Sequence, residues 1–425
     1  MVKAATVPLA DSTKERRRFL VKVIQYNVKI YGQLIWLRII QAEEILTKIK
    51  RGEPVEYENV VIEGDLNLNK VELPTGHVER TKFETEDLRL AEEARLVSSH
   101  IIITKSEILN AVNFRDIIFQ DVVIFNGTKF RREANFVCAR FKISPQFSYK
   151  AQFRGDANFY GGHFEGGADF IGAQFHEHAN FIKTYFKSCA IFTKAEFNNS
   201  FVSFEEAEFD GGVLFISTHF IGDANFLKAK FNGTLNLKKA RFDRLFVNWN
   251  DIKNCLECDI TLYPTLIKNY NNISFFEDAD NCYYKYRKIN QSENRPFWSK
   301  RYDHIAWRSC GYGVRPSFTI AWILGLIPIF ALFYWWRCGI ARSASPEIAM
   351  KLLDKSTFLF TFAPGKEDAL SFWECLYFSA MALTGRVPEG LHPIGAWKYA
   401  VMLESVLGYL FLALFIVVLA RKMIR

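Results

Sequence analysis

Cysteine is sparse and poorly placed for cross-linking. The eight residues (Cys138, Cys189, Cys255, Cys258, Cys282, Cys310, Cys338, Cys375) are scattered singly except for one pair in "NCLECD". A lone Cys-x-x-Cys without a second pair is not a zinc module. Single thiols in a long chain point to a reducing compartment rather than a disulfide framework. No phosphate-cradling loop, no nucleophile-and-base constellation and no metal cluster stands out, so neither enzyme activity nor a cofactor is expected. His176 and His178 in "FHEHANF" lack a third ligand and read as solvated surface. Nucleic-acid motifs are also missing, so the net charge of +8, spread over residues of both signs, is expected to face a membrane rather than nucleic acid. The opening stretch "MVKAATVPLADSTKERRRF" turns polar and basic where a secretory leader needs an apolar core. Membrane insertion is therefore expected to be internal.

Two long apolar runs are present. "PSFTIAWILGLIPIFALFYWW" (316–336) is free of charge and long enough at 1.5 Å per residue to cross a hydrocarbon core of about 30 Å. Tyr334, Trp335 and Trp336 supply an aromatic belt at one end. The second run, within 397–421, is interrupted only by Glu404. Lys285 to Arg315 holds eight basic against two acidic residues, and Arg421, Lys422 and Arg425 follow the second run. This asymmetry predicts a multi-pass protein of the cell membrane with both termini cytoplasmic and the segment 337–398 external. "FWSKRYDHIAWRSCGYGVRP" (297–314 and its flank) alternates aromatic and basic residues at helical spacing. It reads either as an interfacial helix on the inner leaflet or as an amphipathic linker helix.

The chain also contains 40 Phe, and its 49% apolar content excludes wholesale disorder. From 134 to 244 an eleven-residue period recurs: "ANFVCARFKIS", "ANFYGGHFEGG", "ADFIGAQFHEH", "ANFIKTYFKSC", "AIFTKAEFNNS", and later "ANFLKAKFNGT". Steps between successive Phe alternate between five and six, which suits neither a helix nor a simple strand, and a fixed period over this length means stacked repeats. The pattern A-[N/D]-F-x-x followed by A-x-F resembles the pentapeptide-repeat family. The resemblance implies a right-handed β-helix with four faces and 22 residues per coil, placed here over 58–247. Phe and the small residue two before it would stack inward. The module alone names no activity. Mimicry of DNA, one use of such solenoids, needs an acidic surface, whereas 111–246 carries 17 Lys plus Arg against 14 Asp plus Glu.

Residues 1–57 read as an amphipathic helical segment, with Lys22, Gln25, Lys29 and Gln33 as a narrow polar stripe. It either packs on protein or lies in an interface anchored by Arg16, Arg17 and Arg18. Residues 248–300 read as a helical linker.

Between the apolar runs, Ser371 and Glu374 form a capping box that starts a helix too short to cross a membrane, 371–384. "LYFSAMALTGRVPEGLHP" resembles the pore loop of two-span potassium channels, with Ser379, Thr384 and Pro393 matching, and Gly408 falls near that family's inner-helix glycine. The resemblance implies a two-span membrane domain (301–425) with a re-entrant pore helix. It also implies a homo-oligomer, a tetramer or alternatively a pentamer, conducting inorganic ions across the bilayer, and the whole resembles prokaryotic pentapeptide-repeat channels. The filter departs from the family: where T-V-G-Y-G is expected, Thr384 is followed by Gly385, Arg386, Val387, Pro388, Glu389 and Gly390. Val and Pro do not readily take the positive φ that aims carbonyls at an axis, so potassium-type coordination is not expected.

Rings of Arg386 and Glu389 would select ions by charge, in opposite senses, or the two would simply pair at the outer mouth. Glu404 is expected to find Arg386 as partner or to reach the outer interface. Gly408, Leu412, Phe415 and Leu419 fall on one helical face that either gates the pore or packs on the first span. The expected function is thus an oligomeric ion channel bearing a cytosolic solenoid that takes a ligand or protein partner. The alternative is a membrane-anchored scaffold that does not conduct.

Overall fold

The computed structural model describes residues 38–198, 201–257, 259–291, 297–342 and 370–423, with the backbone of 28–30 and 33–35. It divides into two compact units, Met1–Cys282 and Tyr283–Arg425.

The first unit is a β-solenoid of about ten turns. Short strands pair in parallel with those one coil on, as in the run Ala134, Ala157, Ala179, Val202, Ala224. Each coil in this run is therefore 22 or 23 residues long. The repeat motif has a direct physical reading here. Phe rings of successive coils stack face to face: Phe136, Phe159, Phe181, Phe204 and Phe226 follow one another at 4.8–4.9 Å with interplanar angles of 6° or less. Parallel columns run through Phe147–Phe170–Phe192, Phe141–Phe164–Phe186 and Phe153–Phe175–Phe197. Neighbouring columns meet edge to face, as Phe159 and Phe170 do at 5.5 Å and 86°. Such geometry suits the aromatic quadrupole better than stacking alone.

The residue two positions before Phe is buried in most repeats, as Ala139, Ala157 and Ala179 are, and where it is Thr184 its hydroxyl donates to the carbonyl of Phe159. The polar residue before Phe has its own task. The side-chain oxygens of Asn135, Asn158, Asn180 and Asn225 each accept the backbone N–H two residues on, which turns the corner.

The ladder runs past the expected bounds at both ends. The long N-terminal helix expected from the sequence is not formed over the described residues. Arg38–Gln41 is a strand paired in parallel with Val60–Glu63, and the helix α1 spans only Ala42–Lys50, burying Ile45 and Ile49. The solenoid ladder thus starts before residue 58, and the β-branched pair Ile39–Ile40 covers the edge of Val60–Ile62. Residues Arg16, Arg17, Arg18, Lys22 and Gln25 lie outside the described residues.

A short insertion lies along the solenoid, carrying α2 (Lys82–Glu86) with a Thr81/Glu84 capping box. Its Glu84 is fully buried beside Arg140 and Arg80, and its Phe83 packs on Tyr160. At the far end the ladder continues to Leu256–Glu257, past residue 247. The turn α3 (Trp249–Ile252) and the helix α4 (Leu262–Asn272) follow. Asn269 of α4 donates to the carbonyl of Leu245 and accepts its N–H, standing in for a next strand and removing an open edge.

The helix α5 (Phe276–Gln291) crosses from the first unit into the second. The second unit continues with α6 (Phe297–Cys310), a 3-10 turn Gly311–Gly313, α7 (Pro316–Arg337), α8 (Phe372–Leu383) and α9 (Trp397–Met423). Both α7 and α9 are long and apolar enough to cross a membrane. Trp298, Tyr302 and Ile305 of α6 are exposed on one face.

Candidate functional site

The segment 370–393 is held against α7 and α9 at four levels. At the start of α8, Ser371 caps the helix and Glu374 returns the bond to the Ser371 N–H, as the capping box predicts. Arg342 donates to Glu374 from the strand Ile340–Arg342, and with Ser371 it holds the Glu374 carboxyl down to about 2. In the middle of α8, Ser379 donates to Glu404 of α9. Tyr334 of α7 donates to the other oxygen of Glu404 at 2.7 Å. Glu404, Ser379 and Tyr334 are all fully buried, so one carboxylate joins three helices.

The third level is the end of α8. Leu383 clusters with Leu326, near the midpoint of α7, and with Phe411 of α9. Gly408, near the midpoint of α9, lies under it: a Cβ on Gly408 would come within 2.1 Å of the Leu383 carbonyl oxygen. Three carbonyls around the end of α8 accept hydrogen bonds. Ser405 Oγ and the Gly385 N–H both donate to Ala382, the Arg386 N–H donates to Met381, and the Tyr409 hydroxyl donates to Thr384. Gly385 takes a φ of +77°, which ends the helix. At the fourth level Leu391–Pro393 pairs antiparallel with Ile340–Arg342, just beyond the end of α7, and the Ile394 N–H donates to Gly339.

Between the third and fourth levels Thr384, Gly385, Arg386, Val387, Glu389 and Gly390 are exposed, and only Pro388 is buried. Among the described residues neither Arg386 nor Glu389 makes an ion pair. The expected partnership of Glu404 with Arg386 is therefore corrected. Glu404 is satisfied by two hydroxyls on its buried side, and Arg386 lies past the turn on the exposed side. The Glu404 side chain is fully buried within the protomer. Of the expected α9 stripe, Gly408 belongs to the face packed on α8, while Leu412 and Leu419 are exposed and Phe415 is half-buried. Phe411, one turn before Phe415, fills the core instead.

Sequence reasoning missed Tyr334, Tyr409 and Ser405 as polar partners. Their proximity to α8 is set by the packing of α7 and α9 against it, which leaves no local signal. Part of the segment 337–398 expected to be external, residues 343–369, lies outside the described residues.

A second polar cluster lies where α5, α6, the start of α7 and the end of α9 meet. Arg287 of α5 donates to Asp303 at 2.6 Å, and Trp307 donates to Tyr284 at 2.7 Å. Tyr312 donates to Gln291, Arg315 lies over Tyr284, and Arg421 lies over Tyr283 while donating to the Gly313 carbonyl. The last two turns of α5 thus touch residues next to both apolar helices.

Residues 192–241 match the pentapeptide-repeat family as nine copies of the repeat, in agreement with the solenoid. No curated protein and no solved structure matches the chain.

Proposed function

We propose that several copies of this chain assemble around an axis to form an ion-conducting membrane pore, with the segment Thr384–Gly390 of each copy encircling water. The observation that carries this reading is the depth of an exposed turn. Through Leu326, Gly408 and Tyr409, the end of α8 sits level with the midpoints of both apolar helices, and the turn that follows presents Arg386 and open backbone on the outside of the protomer. If α7 and α9 cross a bilayer, that turn lies roughly 15 Å from either surface, half of a hydrocarbon core of about 30 Å. Irregular backbone at that depth is tolerated only when it is buried in protein or lines a water-filled cavity, and a charge there is costly against lipid. One protomer supplies neither cover, so further copies must, and a ring of four or five is the reading we adopt.

On this reading α8 is a re-entrant helix and the paired strands Ile340–Arg342 and Leu391–Pro393 form the outer rim. The basic segment 285–315 favours a cytoplasmic position for the solenoid and both termini under the positive-inside rule. The solenoid is a binding module for a cytosolic partner, and α5 carries its state to the inner ends of the helices through Arg287, Trp307 and Arg421.

The test is reconstitution of the purified chain in planar bilayers under ion gradients. Current that changes on neutralising Arg386 supports the pore. Silence under every gradient tried, with a monomeric or dimeric particle, identifies a membrane-anchored scaffold instead.

A further inference from the structure

Resting on the pore just described, we infer that it selects inorganic anions and that Arg386 is the residue responsible. The alternative, a cation pathway lined by carbonyl oxygens or carboxylates, is disfavoured at the end of α8, the deepest part of the turn. Three carbonyls around the end of α8 are taken: Met381 by the Arg386 N–H, Ala382 by Ser405 and Gly385, and Thr384 by the hydroxyl of Tyr409. An oxygen already accepting such bonds is a poor replacement for a cation's hydration shell. The partial negative charge at a helix C-terminus, about half an elementary charge, resides partly on the Met381 and Ala382 carbonyls and is offset there.

The carboxylates are equally withdrawn. Glu404 is enclosed behind α8 and faces Tyr334 and Ser379, and Glu374 is paired with Arg342 at the other end of α8. Only Glu389 shares the exposed turn. It stands two residues from Leu391, whose strand pairs with Ile340–Arg342 beyond the end of α7, so it belongs to the outer rim, where water and salt screen it. Arg386 stands at the opposite end of the turn. Its backbone N–H is bonded to Met381 and its side chain is exposed at the level of the midpoint of α9. In every copy a full positive charge therefore sits deepest, where the dielectric is lowest and its field is least screened. Charged rings of arginine favour anions.

Reversal potentials across bilayers of neutral lipid, with a tenfold potassium chloride gradient, test this. The wild-type chain is expected to reverse towards the chloride equilibrium potential. Arg386→Gln should lose that preference and Arg386→Lys should retain it. Glu389→Gln should shift reversal further towards chloride. Tyr409→Phe, which frees the Thr384 carbonyl, should admit more potassium. Wild-type reversal towards the potassium potential overturns the inference while leaving the pore standing, and so does an undiminished anion preference in Arg386→Gln. Absence of any current overturns both.

Discussion

The phenol of Tyr334 donates a 2.7 Å hydrogen bond to the carboxylate of Glu404, which follows it by 70 residues, and both side chains are fully buried. With Ser379 on the other oxygen, this carboxylate fixes α8 between α7 and α9. Glu404→Leu leaves the buried Tyr334 hydroxyl without its acceptor, at about 1–3 kcal/mol, while Ser379 keeps the Ile327 carbonyl. Glu404→Gln keeps an acceptor and should lose much less. Thermal unfolding in detergent should rank the chains wild type, then Gln, then Leu. Equal stability of Leu and Gln variants would remove the bridge from this account.

Gly408 permits contact rather than bending. A methyl group at this position meets the Leu383 carbonyl oxygen, so Gly408→Ala must push α9 away from α8 and should destabilise by about 1–3 kcal/mol, as overpacking does. The expected signature is a lower melting temperature with Tyr409 more exposed by fluorescence quenching. A hinge would instead give an equally stable, stiffer helix.

The phenylalanine columns make the solenoid's stability local. Phe159 contacts rings in the coils before and after it, and Phe159→Ala should destabilise by about 3–5 kcal/mol, with Phe159→Leu costing less. Because each coil touches only its neighbours, hydrogen exchange in the full chain should accelerate most within the adjoining coils. Uniform acceleration across all coils contradicts this.

Acid should loosen the insertion at α2. Burial, then the nearby guanidinium of Arg140, depress the ring of His163. Burial alone would raise Glu84, but the Thr81 N–H and Arg140 outweigh it and hold the carboxyl low. Both folded values lie below the unfolded ones, so the unfolded chain binds more protons as pH falls and stability declines, starting near pH 6.5 for the histidine. The melting temperature should fall from about pH 6.5 downward, and His163→Gln should flatten the first part of that slope. A slope unchanged by the substitution would exclude His163.

Much of this was legible in the sequence, for identifiable reasons. The spacing of Phe reports the core directly, since each ring occupies an equivalent position in every coil, and the polar residue before it reports the corner. Ser371 and Glu374 announced the start of α8 through a purely local bond pattern. The Thr81/Glu84 pair carried the same signal for α2 and was overlooked. What the sequence did not disclose depends on distant partners. "RIIQAEEILTKI" has helical spacing throughout, yet Arg38–Gln41 is drawn into a strand by the open edge of Val60–Glu63. Glu404 reads as a lone acid because its two hydroxyl partners lie 70 and 25 residues away.

The central claim is that Thr384–Gly390 of several copies surrounds water. Single-particle imaging of the full chain in lipid nanodiscs tests it most directly. A closed ring of protomers, with every Arg386 bordering one continuous aqueous path midway between the ends of α7 and α9, is the predicted result. A particle in which those turns face lipid, or are buried against protein with no path through it, would contradict it.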